Sequence, residues 1–336
     1  MPDAIRIHGV TKTFGPKVAV NNFDLVIPEG SLYGLIGPNG AGKTTTIRMV
    51  MSILFPDRGE ISVLGRKSAL ESKDRIGYLP EERGLYRKMR VGAFLKLMAR
   101  LKGVSGHGLT EKVKGWLERV GLADCYRKRC EELSKGMQQK VQICAALIHE
   151  PDLIILDEPF SGLDPVNMRV LRDLIMEQHT AGRTLIFSTH IMLHAEQLCD
   201  RIVMIHNGRK VLDDTVATIK ARYDPHTVAF EPMNGETDAA AITAIPGVLG
   251  VAKTGTTYEV SIGAGTDPAP VMRGIVGAVS VARIELRRPT LEDVFIQIVQ
   301  SGPVRSAADA DGGAKDVSAL RAALREGDAP LEEARA

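Results

Sequence analysis

Apolar positions along this chain change their period several times, and each change marks an element. Residues 5–10 alternate apolar and polar side chains as a half-exposed strand does, and 11–15 read as the turn out of it. Residues 18–28 repeat the alternation, Glu29 and Gly30 turn the chain, and 32–36 form a fully apolar strand. A helix follows near Thr44, then a turn at 56–59, a short strand at 60–64, and an apolar strand from Ile76 that ends at Pro80 in a polar loop. From 91 to about 122 the period becomes helical, with Phe94, Leu95, Met98 and Leu101 on one face and Val113, Trp116, Leu117 and Val120 on another. Residues 103–108 separate the two helices, and Trp116 reads as ordinary helix packing.

A further helix runs to about His149, with Ser134 as its natural N-cap and Val141, Ala145 and Ile148 at helical spacing. The continuous apolar run over 151–156 fits a strand buried on both faces of a parallel sheet, and 182–190 reads as a further buried strand. Between them, 161–165 turns into a helix over 166–180; beyond them, 202–205 and 209–212 read as a hairpin that closes a first domain near 220. From 223 the order changes to strand 227–231, helix 237–244, strands 247–253 and 257–262, helix 269–279 and strand 281–287, the β-α-β-β-α-β order of a ferredoxin-like domain. A capped amphipathic helix over 289–299 ends this region, which carries no catalytic cluster and reads as an interaction or regulatory module. The segment 301–336, rich in Ala, Gly, Asp and Arg, is expected to be disordered apart from one short helix at 317–325.

Bulk composition narrows this picture without redrawing it. A length of 336 residues predicts two domains or a domain with an appendage, and 44% hydrophobic residues suffice for a sizeable core. A net charge of +2 gives no electrostatic footprint for nucleic acid or anionic lipid. Cys125, Cys130, Cys144 and Cys199 form no C-x-x-C pair and have no His at metal-ligand spacing, so a reduced, cytosolic compartment is the expectation. No apolar run reaches membrane-spanning length and the N-terminus lacks a signal core, so the chain is expected to have no transmembrane segment of its own.

The chemistry gathers at strand ends. Gly37, Pro38, Asn39, Gly40, Ala41, Gly42, Lys43, Thr44 and Thr45 lie between an apolar strand and a helix, the arrangement in which backbone N–H groups wrap a phosphate chain at a helix N-terminus. Lys43 would reach the terminal phosphates and the Thr44 hydroxyl would ligate magnesium. Asp157 and Glu158 end the apolar strand and arrive at the same sheet edge, one to hold Mg²⁺ and the other to orient or deprotonate water. His190 ends another buried strand aimed at that edge, which favours a terminal-phosphate contact over core packing. Phe14 is either a stacking platform for a base or a core aromatic at a strand end.

In this order the motifs resemble those of an ABC-transporter ATPase subunit over the first two-thirds of the chain: 37–45 the Walker A loop, 133–138 the signature, 153–158 the Walker B strand, 161–164 the D-loop and His190 the switch histidine. The signature discriminates this family from other P-loop ATPases. The implied fold is α/β: a P-loop ABC ATPase domain over 1–222 with a helical insertion at about 85–150, followed by a small α+β accessory domain over 223–300. The resemblance implies ATP and Mg²⁺ as ligands. Lys43 would bind the β- and γ-phosphates, Thr44 and Asp157 magnesium, and His190 the γ-phosphate, with Glu158 as base and Phe14 stacked on adenine. Ser134 and Gly136 would complete the site of an opposing subunit, so hydrolysis would need a homodimer or a heterodimer with a related ATPase, and the D-loop residue Asp164 would also bind nucleotide.

Two motifs depart from the family pattern. Glu81 stands where the mobile loop usually has Gln, adding negative charge beside its implied Mg²⁺ contact, and Lys135 and Met137 replace the usual Gly and Gln of the signature. Both departures resemble the sodium-efflux and drug-resistance branch of exporter ATPases, as does the ending over 289–299. The implied function is ATP-driven energy coupling for export, at the cytoplasmic face of a membrane through a separate polytopic permease and without nucleic acid. The alternatives are a soluble ABC ATPase acting on ribosomes or DNA, against which stand the single cassette and the absence of a coiled-coil insertion, and an importer ATPase.

Overall fold

The structure is a computed structural model and describes residues 2–301 apart from 83, 224, 225, 236 and 264. The expected short helix at 317–325 and the tail as a whole lie outside the described residues. The chain divides into two compact units, the first extending to Val216 and the second beginning at Ala217.

In the first unit, β1 (Asp3–Phe14) and β2 (Lys17–Pro28) form a long antiparallel hairpin. The polar run after Val10 continues β1 instead of turning: Lys12 pairs with Val20, Thr13 with Val18 and Phe14 with Lys17. Shifts of register between Ile7 and Val10 and again beyond absorb the broken alternation, which is why the pattern looked like the end of a strand. Then come β3 (Leu32–Ile36), α1 (Lys43–Val50) and β4 (Arg58–Val63), the last pairing with β1 in a sheet of order β2-β1-β4.

β5 (Ile76–Leu79) leads into a helical region of α2 (Val91–Leu101), α3 (Leu109–Arg119) and α4 (Lys135–Leu147). Trp116 is buried there, with the Arg119 guanidinium 4.4 Å from its ring centre. β6 (Leu153–Asp157), α5 (Pro165–Thr180), β7 (Thr184–Thr189), α6 (Met192–Leu198), β8 (Arg201–His206) and β9 (Arg209–Thr215) follow, and α7 (Val216–Arg222) begins at the boundary and belongs to the second unit from Ala217. The main sheet has the order β5-β6-β7-β3-β8-β9, parallel throughout except for β9. Every residue of β3, β6 and β7 is buried, as central strands of a parallel sheet covered on both faces are. The core lies between the two sheets, where Ile5, Ile7, Leu25 and Ile27 meet Tyr33, Ile155, Ile186 and Val203, with Ile47 and Val50 of α1. Because β3, β6 and β7 are neighbours and parallel, Ile36, Asp157 and Thr189 end at one edge.

The second unit contains β10 (Thr227–Pro232), α8 (Ala239–Thr243), β11 (Val248–Thr254), β12 (Thr257–Ile262), α9 (Pro268–Ala278), β13 (Val281–Arg287) and α10 (Leu291–Ser301). Its sheet order, β11-β12-β10-β13 with antiparallel pairing throughout, is the ferredoxin-like one. Phe230 and Tyr258 stack at 5.2 Å over a core that includes Val228, Val260, Ile242 and Ile275. Thr290 and Asp293 cap α10 reciprocally: the Thr290 N–H donates to Asp293 Oδ2 at 3.1 Å and the Asp293 N–H to Thr290 Oγ1 at 3.2 Å.

Candidate active site

The loop between β3 and α1 is shaped by two glycines. Gly37 has φ 152°, and a Cβ there would lie 2.2 Å from the Ile205 carbonyl oxygen; Gly42 has φ 111°, with its Cβ position 2.6 Å from the Ala19 carbonyl oxygen. No L side chain fits at either. Among the described residues no side chain caps α1, so its first N–H groups are left for an anion. Pro38 is half-buried, Asn39 and Gly40 are exposed, Ala41 is buried, and Thr44 and Thr45 are half-buried on the first turn. Lys43 turns back into this loop: Nζ donates to the carbonyls of Gly37 at 2.8 Å and Pro38 at 3.3 Å and stands 3.6 Å from Glu158 Oε1. Burial pushes the Lys43 pKa down, and the carboxylates of Glu158 and Asp157 act against that shift.

Asp157 is completely buried at the end of β6. Its Oδ1 accepts hydrogen bonds from Ser188 Oγ and, at 3.3 Å, from Thr44 Oγ1, whereas Oδ2 has no hydrogen-bond partner among the described residues. Burial raises the Asp157 pKa. Glu158 follows with φ 48°, a left-handed conformation that costs a non-glycine residue about 1 kcal/mol. His190 Nδ1 donates to Glu158 Oε1 at 3.0 Å. Lys43, Thr44, Asp157, Glu158 and His190 therefore form one connected group at the sheet edge.

These residues fit a nucleotide phosphate chain and a hard cation. The loop leaves room for no Cβ at Gly37 and Gly42, and a buried carboxylate oxygen without a partner beside a threonine hydroxyl is an oxygen donor set suited to Mg²⁺. Among the described residues no group of three or more His, Cys, Asp and Glu could hold a metal by itself, so phosphate and water oxygens would have to complete the coordination. Glu81, exposed just beyond β5, contributes a negative charge that acts on both Lys43 and Asp157, while Glu82 lies 3.7 Å from Arg48.

Other candidate residues lie outside this hydrogen-bonded group. Phe14 ends β1 with 47% of its surface exposed and Lys12 Nζ 5.5 Å from its ring centre, so it is not a core aromatic. Lys12 is fixed by Asp57 at 2.8 Å. Ser134 caps α4, its hydroxyl accepting the Met137 N–H at 3.3 Å. A Cβ on Gly136 would lie 3.1 Å from Asn167 Nδ2, and Asp164 caps α5 through the Asn167 N–H at 2.9 Å. The signature turn and the D-loop thus pack on each other in this chain.

Two further residues touch the site without a motif to announce them. Ser188 is buried in β7 and bonds both Asp157 and the Glu158 N–H; it looked like one more position of a buried strand until the β6–β7 register set it opposite Asp157. Gln139 of α4, also buried, donates from Nε2 to the Pro159 carbonyl at 3.2 Å, immediately after Glu158.

A family model described as ABC transporter matches residues 20–161 and one described as ATP-binding protein DrrA1-3-like, C-terminal domain, matches 215–299. An ABC transporter ATP-binding protein of Bacillus subtilis, YhaQ, itself uncharacterized, is 39% identical over 88% of this chain and 98% of its own length. The chain belongs to the ABC transporter ATP-binding proteins. The ABC ATP-binding subunit is therefore an ATPase that couples ATP hydrolysis to transport. It is also 33% identical to the daunorubicin resistance ATP-binding protein DrrA3 of Streptomyces coeruleorubidus, over 88% of this chain and 95% of that one. A Nod factor export ATP-binding protein I of Rhizobium is likewise 33% identical, over 88% and 96%. A solved ATP-binding subunit of an ABC transporter superposes with a TM-score of 0.61 at 32% identity, over 66% of this chain and 93% of that one. Among the described residues no helix is long and apolar enough to cross a membrane.

Proposed function

We propose that this ABC ATPase powers an exporter, working as a dimer on a separate polytopic membrane permease at the cytoplasmic face. The observation that carries the catalytic part is the contact of one carboxylate, Glu158, with both Lys43 and His190, beside the buried pair Asp157 and Thr44. The loop N–H groups of 37–45 and the Lys43 ammonium bind the β- and γ-phosphates, whose charge opposes the burial that lowers the Lys43 pKa. Thr44 and Asp157, with Glu81 alongside, hold Mg²⁺, which when bound neutralises charge on the phosphate oxygens. Glu158 accepts the proton of the attacking water, oriented by the His190 Nδ1–H, and His190 also contacts the γ-phosphate. Exposed Phe14 stacks on adenine.

Ser134, Gly136 and Asp164 serve the nucleotide of a second copy, or of a related ATPase. In support of this, they stand apart from the chain's own Lys43–Glu158 group. Export is supported by the names of the Nod factor and daunorubicin resistance relatives and by the DrrA-like second unit. With Glu158→Gln, ATP binding is retained, turnover falls about 10²–10⁴-fold, and an ATP-dependent dimer accumulates in light scattering. Turnover within a few-fold of the parent would remove Glu158 from the role of base. Co-purification with a polytopic membrane protein tests the permease.

A further inference from the structure

Asp157 and Glu158 are consecutive but must do different things, and one hydroxyl holds both. Ser188 lies directly across the β6–β7 ladder from Asp157 and is completely buried. Its Oγ donates to Asp157 Oδ1 and accepts the Glu158 N–H at 3.2 Å, an N–H that its own carbonyl oxygen also receives at 3.2 Å. Glu158 is the first residue past the end of β6 and sits at φ 48°, so its backbone has left the ladder geometry and needs another restraint. Thr44 is the other donor to Oδ1, at 3.3 Å, close to the limit of a useful hydrogen bond. Without Ser188 the Asp157 carboxylate would keep one weak partner and be able to rotate. With it, Oδ1 is engaged and Oδ2 is the oxygen left over.

We infer that Ser188 is a positioning residue for ATP hydrolysis, a single hydroxyl that sets the Asp157 carboxylate for the metal and anchors the strained backbone of Glu158 in register with it. This rests on the roles proposed for Asp157 and Glu158. The same packing volume in an apolar residue would fill the strand but hold neither group. Groups that orient a ligand to a metal typically change metal affinity or activity by about 10–100-fold when removed, and Ser188 touches both the Asp157 carboxylate and the Glu158 backbone N–H.

The full-length chain tests this with Mn²⁺ as the metal, followed by electron paramagnetic resonance in the presence of ATP, and with ATP binding measured separately in EDTA. In Ser188→Ala, ATP affinity in EDTA stays unchanged, Mn²⁺ affinity of the ATP complex falls about 10–100-fold, and kcat falls by a similar factor at constant KM. Ser188→Thr, which restores the hydroxyl, recovers the Mn²⁺ spectrum and most of kcat. If Ser188→Ala does not fold, Ser188→Cys, nearly isosteric with a much weaker donor, is read by the same criteria. Parent-like Mn²⁺ affinity and kcat in the folded variant overturn the inference. Asp157→Asn is run beside it: if that variant loses Mn²⁺ while the Ser188 variant does not, only the role of Ser188 falls. If Asp157→Asn also keeps Mn²⁺, the metal assignment falls and the role of Ser188 with it.

Discussion

Single residues in this chain carry costs that make sense only at the site. Glu158 adopts a backbone conformation that its Cβ resists, and Asp157 is buried with one oxygen lacking a partner among the described residues. Away from the site, His149 shows the same kind of conflict without a catalytic purpose. It donates from Nε2 to the Ile76 carbonyl at 3.1 Å, its Nδ1 has no partner among the described residues, and burial, reinforced by Lys102, lowers its pKa to about 4. The folded state therefore keeps this imidazole neutral where the unfolded chain, titrating near 6.5, binds a proton. Stability from this group is complete above pH 6.5 and declines as the pH falls toward 4. Allowing for partial solvent screening, the loss is about 2 kcal/mol at most. Urea unfolding at pH 7 and pH 5 checks this: His149→Gln should reduce the difference between the two midpoints. The 37–45 loop was legible residue by residue because its glycines are demanded by local backbone geometry, whereas Ser188 was not, because its partners come from another strand.

At the scale of elements, α4 is the connection between the helical region and the catalytic edge. Its first turn is capped by Ser134 and packs on Leu163 of the D-loop and Asn167 just beyond it, and one turn further Gln139 reaches the Pro159 carbonyl. Gln139 thereby ties α4 to the residue next to Glu158. Gln139→Leu keeps the volume but leaves a buried carbonyl unpaired, which costs about 1–3 kcal/mol. The expected outcome is unchanged ATP binding with kcat lowered about tenfold, from a displacement at Glu158 worth about 1.4 kcal/mol in the barrier; steady-state kinetics beside an ATP titration separate the two. Strands β3 and β6 were legible as apolar runs and β7 as a further buried strand. α6 and α7 were not read from the sequence, and β1 was cut short, since short helices and a bulged polar hairpin arm leave little periodicity to detect.

For the whole molecule, the proposed composite site makes a prediction that a self-contained site does not. Lys43→Ala damages the cradle and Gly136→Asp damages the signature turn, so each variant alone should be inactive. Mixed in equal amounts, half of the dimers would pair a sound cradle of one copy with a sound signature of the other. Turnover should recover to about one quarter of the parent's if the two sites act independently. No recovery on mixing would argue against sites shared between copies. The second unit, with its own core around Phe230 and Tyr258, has a ferredoxin-like strand order that follows from β-α-β-β-α-β connectivity and was legible for that reason.

By itself the sequence determined the parts whose constraint is local: glycines where the backbone takes a positive φ, apolar runs for buried parallel strands, and the capping residue Ser134. It also placed Asp157, Glu158 and His190 at strand ends. Tertiary structure alone decided which atoms meet there. The pairing of β6 with β7 sets Ser188 against Asp157, Lys43 approaches Glu158 across the edge, and Gln139 finds Pro159. Those contacts join residues far apart in the chain, so no spacing or period could announce them; strand register and helix packing create them.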